Sequence, residues 1–256
     1  MTDPRLLQPP LLQVRGLVAE FDGFRAIDRL DLDVSEGELR FLIGPNGAGK
    51  STLVDVITGL TPARAGSVHF AGQDLGGRSE FEIVRLGIGR TFQTAAVFEH
   101  LTVLENLDLA ACFRRPFPSL FRKRRAVLAE VEEVLETTDL GPLADSPAKV
   151  LSHGQKQWLE IGMLLVQRPR LLLLDEPVAG MTREERNQTG LSLQKLASHH
   201  TLIVVEHDME FLRRFASKVT VMHEGRVLRE GSVAAIQEDP RVREVYLGKP
   251  PQKATA

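Results

Sequence analysis

Between Ile43 and Leu53 the chain reads Gly44-Pro45-Asn46-Gly47-Ala48-Gly49-Lys50-Ser51-Thr52, which satisfies the spacing G-x-x-x-x-G-K-[ST]. Glycines in such a run let backbone N–H groups converge on a phosphate, and a helix that follows turns its positive dipole end toward the same charge. Lys50 is spaced to reach β- and γ-phosphates and the Ser51 hydroxyl to ligate Mg²⁺. A second constellation closes the apolar run Leu171 to Leu174, where Asp175-Glu176 puts two acids at the carboxyl end of a core strand, the end at which α/β sheets bind ligands. Asp175 can hold magnesium through water, and Glu176 can polarise or deprotonate the water that attacks a γ-phosphate. Read alone, two acids after an apolar run are an ordinary solvated strand end; beside a phosphate loop they imply hydrolysis of a nucleotide, with ATP and Mg²⁺ as the ligands.

These groups need a rigid scaffold. Leu39 to Ile43, Leu171 to Leu174 and Thr201 to Val205 are short apolar runs, two of them almost without alternation, as in strands of a parallel sheet covered on both faces. Val127, Leu128, Val131, Val134 and Leu135 recur at helical spacing. The fold class is therefore α/β. Leu11 to Val18 and Arg25 to Val34 read as strands of a separate antiparallel sheet, Leu53 to Leu60 as the helix after the phosphate loop, and Val219 to Met222 with Arg226 to Arg229 as a hairpin around Glu224-Gly225. Residues from about Thr94 to Val150 read as a mostly helical insertion, with a basic stretch from Arg114 to Arg125 that is expected to be a solvated face.

Composition narrows the classes further. Of 256 residues, 43% are apolar and 26% charged, enough for a buried core. Lys and Arg number 32 against 34 Asp and Glu, so there is no basic footprint for nucleic acid, and none is expected as a partner. Cys112, the single cysteine, is expected to be a buried small hydrophobe. No apolar run approaches the roughly 20 residues of a membrane span, so other chains must hold this one at any membrane it serves. Residues 1–10 read as a loose leader and 252–256 as a polar tail.

With the two acids and the phosphate loop, three further motifs give the chain a family resemblance: Gln93 in Arg90-Thr91-Phe92-Gln93, Leu151-Ser152-His153-Gly154-Gln155, and His207 after the strand ending at Val205. From about Leu11 to Gly231 the chain resembles the ABC ATPases. The resemblance implies a RecA-like P-loop core of mostly parallel sheet, an antiparallel β subdomain and an inserted helical subdomain, with 11–93 and 156–251 forming the first two parts and 94–155 the third. It implies that Gln93 links the metal and the attacking water to the transporter contact, that His207 hydrogen-bonds the γ-phosphate, and that Phe21, ahead of Phe24, stacks on adenine. It also implies a dimer, since in this family the signature Ser152, His153, Gly154 and Gln155 of one subunit cap nucleotide held in the phosphate loop of the other.

Two positions depart from the family pattern. His153 stands where the first signature glycine is usual, so this backbone must accept a Cβ; it is expected to be a tolerated variant rather than a proton sensor. Ala179-Gly180-Met181-Thr182 lacks the aspartate that usually ends its loop. The phrases Leu151 to Leu165, Pro177 to Thr182, Val205 to Phe211 and Glu244 to Gly248 resemble the ATPase subunit of bacterial urea importers, a branch of the branched-chain amino-acid importer ATPases. That resemblance implies a second, similar ATPase subunit, two membrane-spanning permease subunits docking on residues 94–106, a periplasmic binding protein, and a peripheral position on the cytoplasmic side of the inner membrane. The competing classes are a non-transport ABC clamp, which usually carries two cassettes or a long coiled coil, and a nucleotide-binding module without turnover, against which Glu176 and His207 stand.

Overall fold

The computed structural model of the chain describes residues 9–92, 95–112 and 129–247. Strands β1 (Leu12–Phe21) and β2 (Phe24–Val34) form an antiparallel hairpin, followed by β3 (Leu39–Ile43), α1 (Lys50–Ile57), β4 (Ala65–Phe70), β5 (Gln73–Asp74), α2 (Glu80–Leu86) and β6 (Ile88–Arg90). Helices α3 (Val103–Ala111), α4 (Ala129–Thr137) and α5 (His153–Leu165) come next. The chain then alternates through β7 (Leu171–Asp175), α6 (Arg183–Leu196), β8 (Thr201–Val205) and α7 (Met209–Phe215), and ends in β9 (Lys218–His223), β10 (Arg226–Gly231), α8 (Val233–Glu238) and α9 (Pro240–Leu247).

The strands make two sheets. One is antiparallel in the order β2-β1-β4-β5; the other runs β10-β9-β3-β8-β7-β6, parallel except for the β9–β10 hairpin at its edge. The central strands β3, β7 and β8 are buried at every position, which is why their sequences lack alternation. Alternate residues nevertheless serve different cores. Phe41, Leu172, Leu174, Leu202 and Val204 join the core shared with α3 to α7, whereas Leu42, Leu171, Leu173, Ile203 and Val205 join the one shared with α1 and the antiparallel sheet. Each fully buried Leu, Ile or Phe contributes about 1.5–3 kcal/mol by leaving water, so the sheet is the slab on which both layers are fixed.

Among the buried polar side chains of this slab, one is a full cation. Arg40, on β3, is fully buried; its guanidinium donates to the Glu38 carboxylate, to Thr220 Oγ1 at 2.7 Å, to the Glu230 carboxylate and to the Asp33 carbonyl at 2.8 Å. It thereby ties the end of β2 to β3, β9 and β10.

Two elements differ from the sequence expectation. The helix expected over Leu53 to Leu60 begins at Lys50 and ends at Ile57. Gly49, with φ of +97°, caps it directly, so the phosphate loop and the first helical turn are continuous. Helix α5 runs uninterrupted from His153, across the division expected between residues 155 and 156. Cys112, expected to be buried, is half-buried at the end of α3. The leader through residue 8, Gln93, the basic stretch 114–125 and the tail lie outside the described residues. Among the described residues no helix is long and apolar enough to cross a membrane.

Candidate nucleotide site

The phosphate loop sits between β3 and α1, at the carboxyl ends of β3, β7 and β8. Its shape is held by its own bonds, such as the Ala48 N–H to the Pro45 carbonyl at 3.1 Å, and by distant neighbours. A Cβ at Gly49 would lie 2.4 Å from the Ala26 carbonyl oxygen and one at Gly44 2.3 Å from that of Met222. The β9–β10 turn reaches under the loop, with the Gly225 N–H donating to the Ala48 carbonyl at 3.1 Å.

The cleft over this loop is lined by Phe21, Phe24, Ala26, Asn46, Gly47, Ala48, Gly49, Lys50, Ser51, Thr52, Asp175, Glu176 and Val205 and has a volume of about 380 Å³. Gly44 and Pro45 join it through Lys50, whose Nζ donates to their carbonyls at 2.7 and 3.1 Å. Burial holds the Lys50 ammonium below its usual pKa, opposed by the negative charges of Glu176 and Asp175. An arriving phosphate therefore meets a partly desolvated cation held by neutral carbonyls, an exchange that favours the anion. Phe21 and Phe24 face each other across the end of the β1–β2 hairpin, 46% and 67% exposed. Both rings can present a flat face to a base.

Asp175 ends β7 almost fully buried. Burial pushes its carboxyl up from the usual range, against the pull of Arg90. Among the described residues there is no cluster of three His, Cys, Asp or Glu side chains able to hold a metal by itself. The Ser51 hydroxyl and the Asp175 carboxylate in one cleft are the hard oxygen donors that Mg²⁺ takes together with phosphates and waters, so the residues fit that ion. Glu176 follows with φ of +48°, unusual for a residue with a side chain, and its N–H donates to the Val205 carbonyl at 2.9 Å. His207 Nδ1 lies 3.2 Å from Glu176 Oε1. Two residues 31 positions apart in sequence thus meet at the ends of adjacent parallel strands.

The signature residues are not in this cleft. Ser152 caps α5, accepting from the Gln155 N–H while the Gln155 side chain accepts from the Ser152 N–H. His153 occupies the first helical position and is absent from the positive-φ residues, as the sequence requires of a position with a Cβ. A Cβ at Gly180 would lie 3.6 Å from its ring. Where the aspartate is missing, Thr182 caps α6 in a capping box with Glu185. Trp158 and Met181, given no chemical role by the sequence, both pack against Thr189.

Three side chains near the cleft were passed over by sequence reasoning. Thr91, fully buried, accepts from the Asp175 N–H at 3.2 Å, and Arg90 pairs with Asp55 of α1 while standing 4.0 Å from Asp175. Glu160 of α5, also buried, accepts from the N–H groups of Phe92 and Ala96 at 3.2 and 3.3 Å. Those two residues flank Gln93. The tetrad Arg90 to Gln93 was the available signal for Arg90 and Thr91, but their partners depend on β6 pairing with β7.

Comparison with known proteins identifies the family. The ABC transporter family model matches residues 27–179, more than half of the chain, and a model described as "Branched-chain amino acid ATP-binding cassette transporter" matches 226–250. The high-affinity branched-chain amino acid transport ATP-binding protein BraF of Pseudomonas aeruginosa is 33% identical over 94% of this chain and 98% of its own length. LivG of Escherichia coli K12, named for the same transport, is 33% identical over 95% of this chain and all of its own. The crystal structure of the ADP conformation of the ATP-binding cassette MJ1267 superposes with a TM-score of 0.82 at 31% identity, covering 94% of this chain and 100% of that one. A dimeric ABC transporter cassette, MJ0796, superposes with a TM-score of 0.71 at 25% identity over 87% of this chain and 98% of its own. With its fold, its phosphate loop and its full-length likeness to these proteins, the chain belongs to the ABC transporter family, as an ATP-hydrolysing subunit of the LivG and BraF type.

Proposed function

We propose that the chain drives a branched-chain amino-acid importer by hydrolysing ATP between itself and a second ATPase subunit. The observation that carries the chemistry is the meeting of Glu176 and His207 above a phosphate loop that holds Lys50 ready. Full-length likeness to proteins named for branched-chain amino-acid transport supports the cargo, and moves it ahead of the urea expected from the Leu151 to Leu165 and Pro177 to Thr182 phrases.

In this reading the phosphate loop, Gly44 to Thr52, wraps the phosphates with backbone N–H groups and Lys50 trades its carbonyl partners for them. Mg²⁺, held by Ser51 and Asp175 with Gln93, supplies neutralising charge to the phosphoryl group. Glu176 orients and deprotonates the attacking water, while His207 hydrogen-bonds the γ-phosphate and is held beside Glu176 to do so. Phe21 stacks on adenine. Ser152, His153, Gly154 and Gln155 of the partner ATPase close the site from outside, which accounts for their distance from the cleft of their own chain. The surface after Gln93, where Phe98 is 52% exposed, receives two permease subunits that accept cargo from a periplasmic binding protein, with the chain at the cytoplasmic face of the inner membrane. Residues 94–155 act as the helical part that carries the signature.

The test is uptake of labelled leucine and, separately, of labelled urea by cells carrying the whole transporter, with Glu176→Gln as the variant. Leucine uptake abolished by the substitution supports the proposal. Urea uptake alone abolished would move the cargo to urea, and uptake of both untouched would remove the importer and leave the nucleotide site alone.

A further inference from the structure

Directly ahead of His207 the chain places a carboxylate where an apolar side chain would pack. Glu206 is 1% exposed, follows the fully buried strand β8, and its own N–H donates to the Leu42 carbonyl of β3 at 3.2 Å. One carboxylate oxygen accepts from the His207 N–H at 3.1 Å and lies 3.5 Å from the Asp208 nitrogen, while the other accepts from the Val178 N–H at 3.4 Å. Val178 is two residues beyond Glu176. A single buried side chain therefore bonds to both backbone segments whose side chains, Glu176 and His207, meet at 3.2 Å.

We infer that Glu206 is a positioning residue for hydrolysis: its carboxylate locks the segment bearing His207 to the segment bearing Glu176, so that base and imidazole are aligned before nucleotide arrives. This rests on the roles proposed for those two residues. Burying a carboxylate is costly unless its lone pairs are filled, and here backbone donors from two segments fill them. Burial pushes the Glu206 carboxyl up, and the bonds from His207, Val178 and Asp208 oppose that rise. The lock continues outward. Asp208 caps α7 through the Glu210 and Phe211 N–H groups and accepts from Arg186 of α6 at 2.6 Å. The loop through Val178 runs on to Gly180, beside the His153 ring. Glu206 thus also joins the cleft of this chain to its signature end.

Glu206→Gln keeps shape but leaves one acceptor oxygen and turns an N–H₂ group toward a backbone donor, so one side of the lock must open. In the full chain kcat is expected to fall about tenfold, roughly the worth of one hydrogen bond to a charged group, while ATP affinity by equilibrium binding stays within about twofold, because the phosphate loop is untouched. In a His207→Ala background the same substitution is expected to cost little more, since its effect passes through His207. Unchanged kcat, equal loss in both backgrounds, or loss of ATP affinity matching the loss of kcat would each overturn the inference. If Glu206→Gln does not fold, Glu206→Asp replaces it: the shorter carboxylate cannot span both segments, and wild-type kcat in that folded variant would overturn the inference equally. Glu176→Gln run in parallel separates the two levels. Its inactivity beside a normal Glu206→Gln removes only the lock, whereas turnover by Glu176→Gln removes the roles on which the lock depends.

Discussion

Residues 44–52 and 152–155 both present glycine, a hydroxyl and a helix start, yet they are held in opposite ways. The phosphate loop is shaped by chain far away in sequence: Ala26 and Met222 crowd its glycines, and the Gly225 N–H supports Ala48 from beneath. The signature segment is held by its own capping box, Ser152 with Gln155, and touches the rest of the chain lightly, with Ser152 Oγ 3.5 Å from Glu185. One is a socket built by the fold; the other is a helix end that needs only its own turn. A socket must be rigid to prepay the ordering of phosphates, whereas a surface that meets another subunit needs only to be presented.

The sharpest way to break this contrast is to add one methyl group to each. Gly49→Ala puts a Cβ into the Ala26 carbonyl at a backbone angle of +97°, and nothing flexible can yield. ATP affinity is expected to fall on the order of 1,000-fold, about 4 kcal/mol, read by equilibrium nucleotide binding to the folded variant. Gly154→Ala meets Glu185 Oε1 at 3.4 Å, an ordinary contact on a helix, so Tm and ATP affinity of the isolated chain should stay at wild type. Similar losses from both would erase the distinction.

The same contrast explains what the sequence disclosed. The phosphate loop, the strand ending in Asp175-Glu176 and the capping residues are legible because their determinants are adjacent in the chain. The two-core division is half legible: β3, β7 and β8 read as buried, but which alternate residue faces which core follows only from the sheet order. Arg40, Thr91 and Glu206 were illegible because each earns its place through partners more than 25 residues away: Thr220, Asp175 and Val178. Arg40 in particular stood unremarked inside the apolar run Leu39 to Ile43.

Arg40 gives the second test, of whether distant ties support stability as well as the site. Arg40→Met takes the guanidinium from Glu38 and Glu230, leaving Glu38 with Lys218 at 3.4 Å, and is expected to lower stability by about 3 kcal/mol, read by denaturant unfolding, with ATP affinity of the remaining folded protein unchanged. Burial pushes the Glu38 carboxyl up, but the Arg40 bond and charge outweigh this and hold it below 4.5. A lowered carboxyl contributes stability above its unfolded pKa and loses it as pH falls through the folded value. The gap between wild type and Arg40→Met should therefore narrow as pH falls through the carboxylate range, where Glu38 is protonated in the variant before it is in wild type. A gap that is constant into acid would assign the effect to packing alone.

A smaller effect is expected where a local cap and a distant tie coincide. Asp208 caps α7 and pairs with Arg186, and although burial raises its carboxyl, the Phe211 N–H and Arg186 hold it below 3.8. Asp208→Ala should cost about 1 kcal/mol for the cap, with a small addition from the half-exposed pair. If Arg186→Ala alone costs as much, the tie and not the cap dominates, and α7 belongs with the socket rather than with the signature helix.

The smallest effect should come from the residue that departs most plainly from the family pattern. His153 sits at the first position of α5, exposed, with its ring beside Gly180 and close enough to Glu185 to act on its carboxylate. Its backbone is helical, so nothing in the fold requires glycine there and nothing requires histidine. His153→Gly trades a helix-compatible residue for a more flexible one at the edge of the helix, a cost below about 1 kcal/mol. The dependence of kcat/KM on pH should keep its shape across the histidine range, about pH 6 to 8, because Glu176, proposed to take the proton, and His207, proposed to bond the γ-phosphate, lie in the other region. A profile that lost an inflection in His153→Gly would give the signature imidazole a proton of its own, and the helix end would then be doing chemistry as well as presenting a surface.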